Sequence, residues 1–270
     1  MKSVLERAAA QFDYERQQHQ IIMATTKGPA RAKAFTEAYA GLAAGQQRGD
    51  FLDQETEPLK KARQKYRLLR RFISPSSKVA ECGPGNFDLA KTVAPQVKSL
   101  AVIDVIDASA TAKLPKNCTF FETDGVHLPA DLINLDLVWS SHVVEHIHPD
   151  ELINHLQDVH RALKPGGHYV VFTPNRLSGP HDISRYFTNT AEGLHLKEYT
   201  VRELRRALKK AGYTKILHYA GGKGVYVRVP AFWPLIVELK LSLCPSFMRK
   251  FFSAWLPIKA LLGIIIVGQK

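Results

Sequence analysis

Five consecutive residues near the middle of the chain, His142-Val143-Val144-Glu145-His146, carry two imidazoles and a carboxylate. In a helical turn, positions i, i+3 and i+4 share a face, so His142, Glu145 and His146 would converge there. Imidazole and carboxylate together can move a proton or bind a divalent metal. A second set of candidates is acidic. Glu81 lies just before Gly83-Pro84-Gly85, Asp104 ends an apolar run, and Asp124 precedes Gly125. A carboxylate accepts two hydrogen bonds at once, which suits a ribose diol, and Asp104 is the residue expected there with Asp107 in reserve. Asp124 stands where it could accept from an adenine amino group. Any one of these acids alone could be a loop residue or a helix cap. Three in register at successive strand ends form a pattern.

Positioning these groups requires strands that end together. Val79–Cys82, Leu100–Asp104, Thr119–Glu122, Leu135–Ser140 and His168–Thr173 read as strands, with helices between some of them. A helix is expected over Pro149–Leu163, with Lys164-Pro165-Gly166-Gly167 as its stop. Another is expected over Thr200–Ala211, where Thr200 and Glu203 fit a capping box and Gly212 the stop. Lys215–Ala220 and Ile264–Val267 add strands. The alternation predicts an α/β fold with a doubly wound parallel sheet. In such sheets ligands bind beyond the carboxyl ends of the strands. The turn Glu81-Cys82-Gly83-Pro84-Gly85 is such an end, and its glycines permit close backbone approach to a nucleotide-like ligand. The dinucleotide fingerprint wants a third glycine where this chain has Asp88, which argues against NAD.

The flanks are different in kind. Residues 1–77 are poor in strand formers and read as an N-terminal helical cap, with helices near 3–24, 29–45 and 54–73. Its aromatics Phe12, Tyr14, Phe35 and Tyr39 suit either a buried stripe or contact with a ligand. Residues 78–229 form the expected core, 230–259 a helical insertion, and 260–270 the last core strand. The insertion is apolar but interrupted by prolines and by Lys240, Arg249, Lys250 and Lys259, so it reads either as helices folded over the core or as a peripheral membrane element.

In combination, these motifs resemble the class I S-adenosylmethionine-dependent methyltransferases over about 78–220. The carriers are Glu81 to Gly85, Asp104, Asp124-Gly125, Asp136 to His146, Leu163 to Asn175 and Leu196 to Gly212. The resemblance implies a seven-stranded Rossmann-like sheet and S-adenosylmethionine as cofactor. It implies that Glu81 faces the methionine amino group or its waters, that Gly83 and Gly85 pass the methionine moiety, and that Ser140 and Ser141 flank its end. Asp104 would then take the ribose, and Asp124-Gly125 the adenine. The family's frequent third turn glycine is Phe87 here. The His142–His146 segment is also similar to the ExxEH of ubiquinone-pathway O-methyltransferases and of RNA 3′-terminal 2′-O-methyltransferases. Those families hold a divalent cation there with a further histidine, and His195 stands at that place. The resemblance thus implies catalytic roles for His142, His146 and His195, with a divalent metal among them and Glu145 as an option. The same letters spell an inverted zinc-peptidase motif, but the frame around them is that of a methyltransferase. The expected function is O-methylation of a small or lipid-like molecule. An RNA 3′-end methyltransferase and a non-catalytic cofactor-binding scaffold are the alternatives.

Composition sets outer bounds. The chain has 270 residues, 45% of them hydrophobic, and a net charge of +12. That charge favours polyanions or anionic membranes without proving either. The basic run Lys60–Arg71 reads as a solvated helix face rather than a nucleic-acid site. Three cysteines without a CxxC exclude a disulfide framework or a cysteine zinc finger, and the expected setting is reducing and cytoplasmic. No secretory leader and no spanning helix are expected.

Overall fold

The computed structural model describes residues 4–44, 57–108 and 113–270. The expected break at Gly45 to Asp53 and the start of the third helix at 54 lie outside these residues. Helices α1 (Val4–Ala24), α2 (Pro29–Ala44) and α3 (Pro58–Leu69) come first. Strands β1 (Lys78–Cys82), β2 (Ser99–Asp104), β3 (Cys118–Glu122), β4 (Leu135–Ser141) and β5 (Leu163–Thr173) follow, with α4 (Asp88–Val93) after β1 and α5 (Leu152–Ala162) before β5. Then come α6 (Val201–Lys210), β6 (Lys215–Gly222) and β7 (Val225–Val229). Helices α7 (Phe232–Ser242), α8 (Ser246–Ala254) and α9 (Leu256–Leu262) lead into β8 (Ile264–Gln269).

The strand order is β3-β2-β1-β4-β5-β8-β6-β7. β1 to β5 pair in parallel, whereas β8 is antiparallel to both β5 and β6. The sheet is therefore mixed rather than wholly parallel, and among the described residues it has eight strands rather than seven. The extra strand is β7, which forms a hairpin with β6. Its outward valines, Val225 and Val227, are exposed and alternate with buried Tyr226, the one-sided burial of a strand at the sheet edge.

Apolar clusters cover both faces of the sheet. One gathers Val138, Val171 and Ile266 with Leu156 and Val159 of α5 and Leu204 and Leu208 of α6. The other gathers Val79, Val102, Leu137 and Trp139 with Leu68 and Leu69 of α3 and Ala90 and Val93 of α4. Helix α5 begins at Leu152, later than expected, because Pro149 belongs to the preceding turn. Lys164-Pro165-Gly166-Gly167 is not a stop but part of β5. The register slips there, Leu135 facing Leu163 and Leu137 facing His168, with Gly166 at φ 77°. Only a residue without a Cβ takes that backbone at little cost. Helix α6 keeps its capping box, with Thr200 Oγ1 accepting from Glu203 N and Glu203 accepting from Thr200 N. No described helix is long and apolar enough to cross a membrane.

Candidate functional site

A cleft of about 360 Å³ opens at the carboxyl ends of β1, β2 and β4. Gly83, Gly85, Phe87 and Asp104 form one side, and His142, Val143 and His146 another, under Phe35 and Tyr39 of α2. The β1 strand delivers Glu81 and then turns at once. Gly83 and Gly85 have φ of 65° and 56°. A Cβ on Gly83 would overlap Val143 Cγ2, while one on Gly85 would meet nothing within 4 Å. Gly83 thus packs β1 against the β4 loop, and Gly85 leaves room for a ligand. Phe87, where the resembled family has glycine, takes φ 63° and precedes α4. Its ring is buried near Phe120. The glycine-like backbone is kept although the residue is not glycine.

Glu81 lies buried beneath the turn, with Oε2 making no hydrogen bond. Burial pushes its carboxyl up to about 8. Asp104 lines the cleft, and its Oδ1 accepts from Val105 N at 2.7 Å. Burial raises its pKa as well, against the hydrogen bonds it accepts from the backbone. Asp124 is turned to its own loop. Its Oδ1 accepts from Val126 N and His127 N, and its Oδ2 meets His127 Nδ1 at 2.6 Å. Burial opposes its charge, but these bonds hold its carboxyl below the usual range. It lines a neighbouring cleft of about 420 Å³, while Gly125 lines both. Ser140 is fully buried, with Oγ 2.8 Å from the Tyr169 hydroxyl, and Ser141 Oγ accepts from Lys65 Nζ at 2.7 Å. Neither serine lines the cleft.

The His142–His146 segment is a turn, not a helix. His142 has φ 58°, and its N–H donates to Phe172 O, which ties the loop to the end of β5. His146 N–H donates to Val143 O, closing a tight turn that still brings the polar groups together. Glu145 is fully buried. Its Oε1 lies 3.1 Å from His142 Nδ1, and its Oε2 accepts from Thr173 Oγ1 at 2.8 Å. Burial works against its charge, but the His142 hydrogen bond and the three surrounding histidines hold its carboxyl down to about 2. His146 Nδ1 is 2.8 Å from Leu194 O, which as an acceptor places the ring hydrogen on Nδ1 and leaves the Nε2 lone pair. Burial first, and then the charge of His195, lowers its pKa to about 4. His195 Nδ1 bonds Glu198 Oε1 at 2.8 Å. Burial opposes a charge on His195, but Glu198 and Glu145 outweigh it and raise its pKa. The two rings meet edge to face, centroids 4.8 Å apart.

The fold therefore joins His142, Glu145, His146 and His195 across about 50 residues of chain. Ligand atoms of Glu145, His146 and His195 lie within 4.8 Å of one another, whereas His142 is outside that group. Sequence reasoning missed Glu198 and Thr173, which orient this cluster, and Val105, Ile106 and Thr123, which line the cleft. Thr173 and Glu198 fall inside the quoted motifs at positions to which the resemblance gives no role, and Val105 and Ile106 fall outside them. Val105, Ile106 and Thr123 are marked only by following the ends of β2 and β3, and Thr173 by ending β5. His155 of α5 is buried, with Nε2 3.2 Å from the Tyr169 hydroxyl.

The sequence model of the methyltransferase domain family matches residues 54–218. A Mycolicibacterium smegmatis protein described as a probable S-adenosylmethionine-dependent methyltransferase is 28% identical over 148 residues, 54% of this chain and 55% of that protein. The chain thus spans about half the length of the curated relative it matches. Among solved structures, it is similar to a Haloferax volcanii methyltransferase in complex with the Trm112 methyltransferase activator, with TM-score 0.56 and 17% identity over 87% of this chain and 96% of that one. It is also similar to Burkholderia thailandensis 1,6-didemethyltoxoflavin-N1-methyltransferase bound to S-adenosylhomocysteine, with TM-score 0.53 and 15% identity over 92% of both chains. Haemonchus contortus phosphoethanolamine N-methyltransferase 1 gives TM-score 0.57 and 13% identity over 90% of this chain and 50% of that one. At such identities the structural matches speak for the fold, and together with the sequence match they show that this chain belongs to the methyltransferase domain family and has the class I S-adenosylmethionine-dependent methyltransferase fold.

Proposed function

We propose that the chain transfers the methyl group of S-adenosylmethionine to an oxygen of a small or lipid-like molecule. The observation that carries this reading is the cleft that has the Gly83–Gly85 turn and Asp104 on one side and His142 and His146 on the other. The residues present fit the cofactor. Glu81 Oε2 is buried without a partner, and the space beyond Gly85 is open. When bound, S-adenosylmethionine supplies an electrophilic methyl on a positive sulfur. Asp104 would hold the ribose hydroxyls, and Gly125 would lie against the adenine. Glu81 would face the cationic amino group or its waters. The adenine contact proposed for Asp124 requires its turn to open, since both oxygens are engaged there.

Methyl transfer to a hydroxyl needs alignment and a proton acceptor. His146 is the base in this reading. It lines the cleft, its Nδ1 hydrogen is committed to Leu194 O, and its low pKa keeps Nε2 unprotonated at neutral pH. His146 Nε2 would take the acceptor's hydroxyl proton as its oxygen gains the methyl group that S-adenosylmethionine would supply, the carbon–sulfur electron pair leaving with sulfur. His195, held by Glu198, positions the His146 ring. His142, held by Glu145, lines the cleft and would border the methyl donor. The aromatic and apolar lining from Phe35, Tyr39, Leu42 and Ile147 favours an acceptor with a hydrophobic body. His146→Ala is expected to leave S-adenosylhomocysteine affinity unchanged in calorimetry and to lower methyl transfer to hydroxylated lipids at least roughly 100-fold. Unchanged turnover would remove His146 from this role, and absence of S-adenosylhomocysteine binding would end the reading as a whole.

A divalent cation is the second reading of the same cluster, favoured by the approach of Glu145, His146 and His195. The donor set is chemically suitable: one carboxylate and two imidazoles, each imidazole oriented through its Nδ1 by a further group. A cation there would lower the acceptor's pKa in place of a protein base. Chelator-sensitive activity restored by Zn²⁺ or Mn²⁺, with metal content lost in His195→Ala, would favour it over the proton-acceptor role.

A further inference from the structure

Helix α7 is apolar on two opposite sides. Pro234, Val237, Glu238 and Leu241, spaced i, i+3, i+4 and i+7, face inward, where Val237 and Leu241 pack with Leu177 and Leu262. Phe232, Ile236, Leu239 and Leu243, spaced i, i+4, i+7 and i+11, form a second stripe half a turn away, and all four are exposed. A helix with one apolar face covers a core, whereas a second exposed stripe needs an apolar surrounding of its own. Helices α8 and α9 extend this surface. Phe251 is 76% exposed, Trp255 65% and Leu256 79%. These are values for side chains facing solvent, on helices whose inner sides are already satisfied by Phe252, Ile258 and Leu262.

Charge selects what covers this face. From residue 223 to 270 the sequence has one acidic side chain, Glu238. It is buried, and its oxygens accept from Asn175 Nδ2, Val201 N and Arg202 N. Lys240, Lys250 and Lys259 are exposed among the apolar residues, with Arg249 beside them. A second copy of the chain would meet this face with the same cations and no acid to pair them. An anionic bilayer complements both features at once, with acyl chains for tryptophan, phenylalanine and leucine and headgroups for lysine.

We propose that the outer face of α7–α9 docks the protein on an anionic lipid surface. Its place in the fold gives the docking a purpose. The Asn175–Glu238 bond holds α7 at the carboxyl end of β5, and the turn at Leu177 leads to His181, whose N–H donates to the same Glu198 oxygen that holds His195. The bilayer would therefore border the loop that backs the catalytic cleft. Delivery of a lipid-like acceptor from that bilayer rests on the function proposed above, while the docking itself does not.

The test uses the full chain, without turnover, and vesicles of phosphatidylcholine with or without phosphatidylglycerol. Trp139 is fully buried, whereas Trp233 and Trp255 are exposed, so a change in tryptophan emission reports on this face. The expected result is a blue shift and co-sedimentation, roughly tenfold or more tighter on the anionic vesicles and weakened by salt. Phe251→Glu with Leu256→Glu should abolish binding with the melting temperature retained. Lys240→Glu with Lys250→Glu should remove the preference for anionic lipid. Wild-type protein that ignores anionic vesicles, or variants that bind as well as wild type, would overturn the proposal. So would a dimer in light scattering that Phe251→Glu with Leu256→Glu dissolves, since a second copy would then own the face. Vesicle binding without methyl transfer to any lipid would leave the docking standing and remove the acceptor reading.

Discussion

The His146 and His195 rings meet edge to face with centroids 4.8 Å apart, and their electrostatics pull in opposite directions. His195 is raised by Glu198 and Glu145 against burial, and its charge helps, after burial, to lower His146. Removing the charge should therefore move His146 upward from about 4. In chelator-treated His195→Gln protein, the His146 imidazole should titrate closer to the ordinary histidine range, read by NMR of the ring. An unmoved His146 titration would mean that burial alone sets it, and that the two rings are not coupled.

Glu81 links the site to stability. Burial raises its carboxyl to about 8 from an ordinary 4.5. Between those values the folded chain keeps a proton that the unfolded chain has released, so stability falls as pH rises from about 4.5 and levels off above about 8. Glu81→Gln lacks this dependence. The wild-type melting temperature should drop relative to Glu81→Gln between pH 5 and pH 8, by the equivalent of a few kcal/mol at most, since one proton costs on the order of 1.4 kcal/mol per pH unit across that window. Parallel curves for the two proteins would show that Glu81 ionises freely in the fold.

Asp104 is the acid that faces the cleft with capacity to spare. Its Oδ1 accepts from Val105 N, and a carboxylate offers about four acceptor sites in all. Losing hydrogen bonds to a charged group costs about 1.5–3 kcal/mol, roughly 10- to 150-fold in affinity. Asp104→Ala should weaken S-adenosylhomocysteine binding by that range in calorimetry, with the fold intact. Equal affinity would place the ribose elsewhere.

Much of the parallel half of the sheet is legible because its strands are short apolar runs, β2 closing on an acid at the cleft. Asp104 at the end of β2 and the glycines after β1 stand where their spacing put them, on the wall of the cleft. The His142–His146 segment reads as helical because the i, i+3, i+4 pattern also fits a single tight turn, and nothing in the letters announces φ 58° at His142. Lys164 to Gly167 looks like a helix stop because proline and glycine break helices, yet a bulged strand start uses the same residues. Glu198 is invisible in the sequence because its part depends on a loop folding back to place it under His195. Phe87 shows the limit of composition most plainly: a bulky residue holds a left-handed backbone that a sequence reader reserves for glycine.

The turn glycines separate packing from binding. Gly83 and Gly85 both have positive φ, so alanine at either costs about 1–2 kcal/mol from the backbone alone. At Gly83 the new methyl also overlaps the stiff, half-buried Val143 Cγ2 on the cleft wall, so Gly83→Ala should lower the melting temperature beyond that of Gly85→Ala. At Gly85 the methyl meets no protein atom and points into space the cofactor is proposed to fill. Gly85→Ala should therefore stay folded, with a modest loss of stability, and lose S-adenosylhomocysteine affinity by at least roughly tenfold, since close backbone approach is no longer available. Thermal melts and calorimetry on the two variants decide the matter together. A Gly85→Ala protein that binds as tightly as wild type would show that the ligand does not pass over this bend, and the assignment of the cleft would have to move with it.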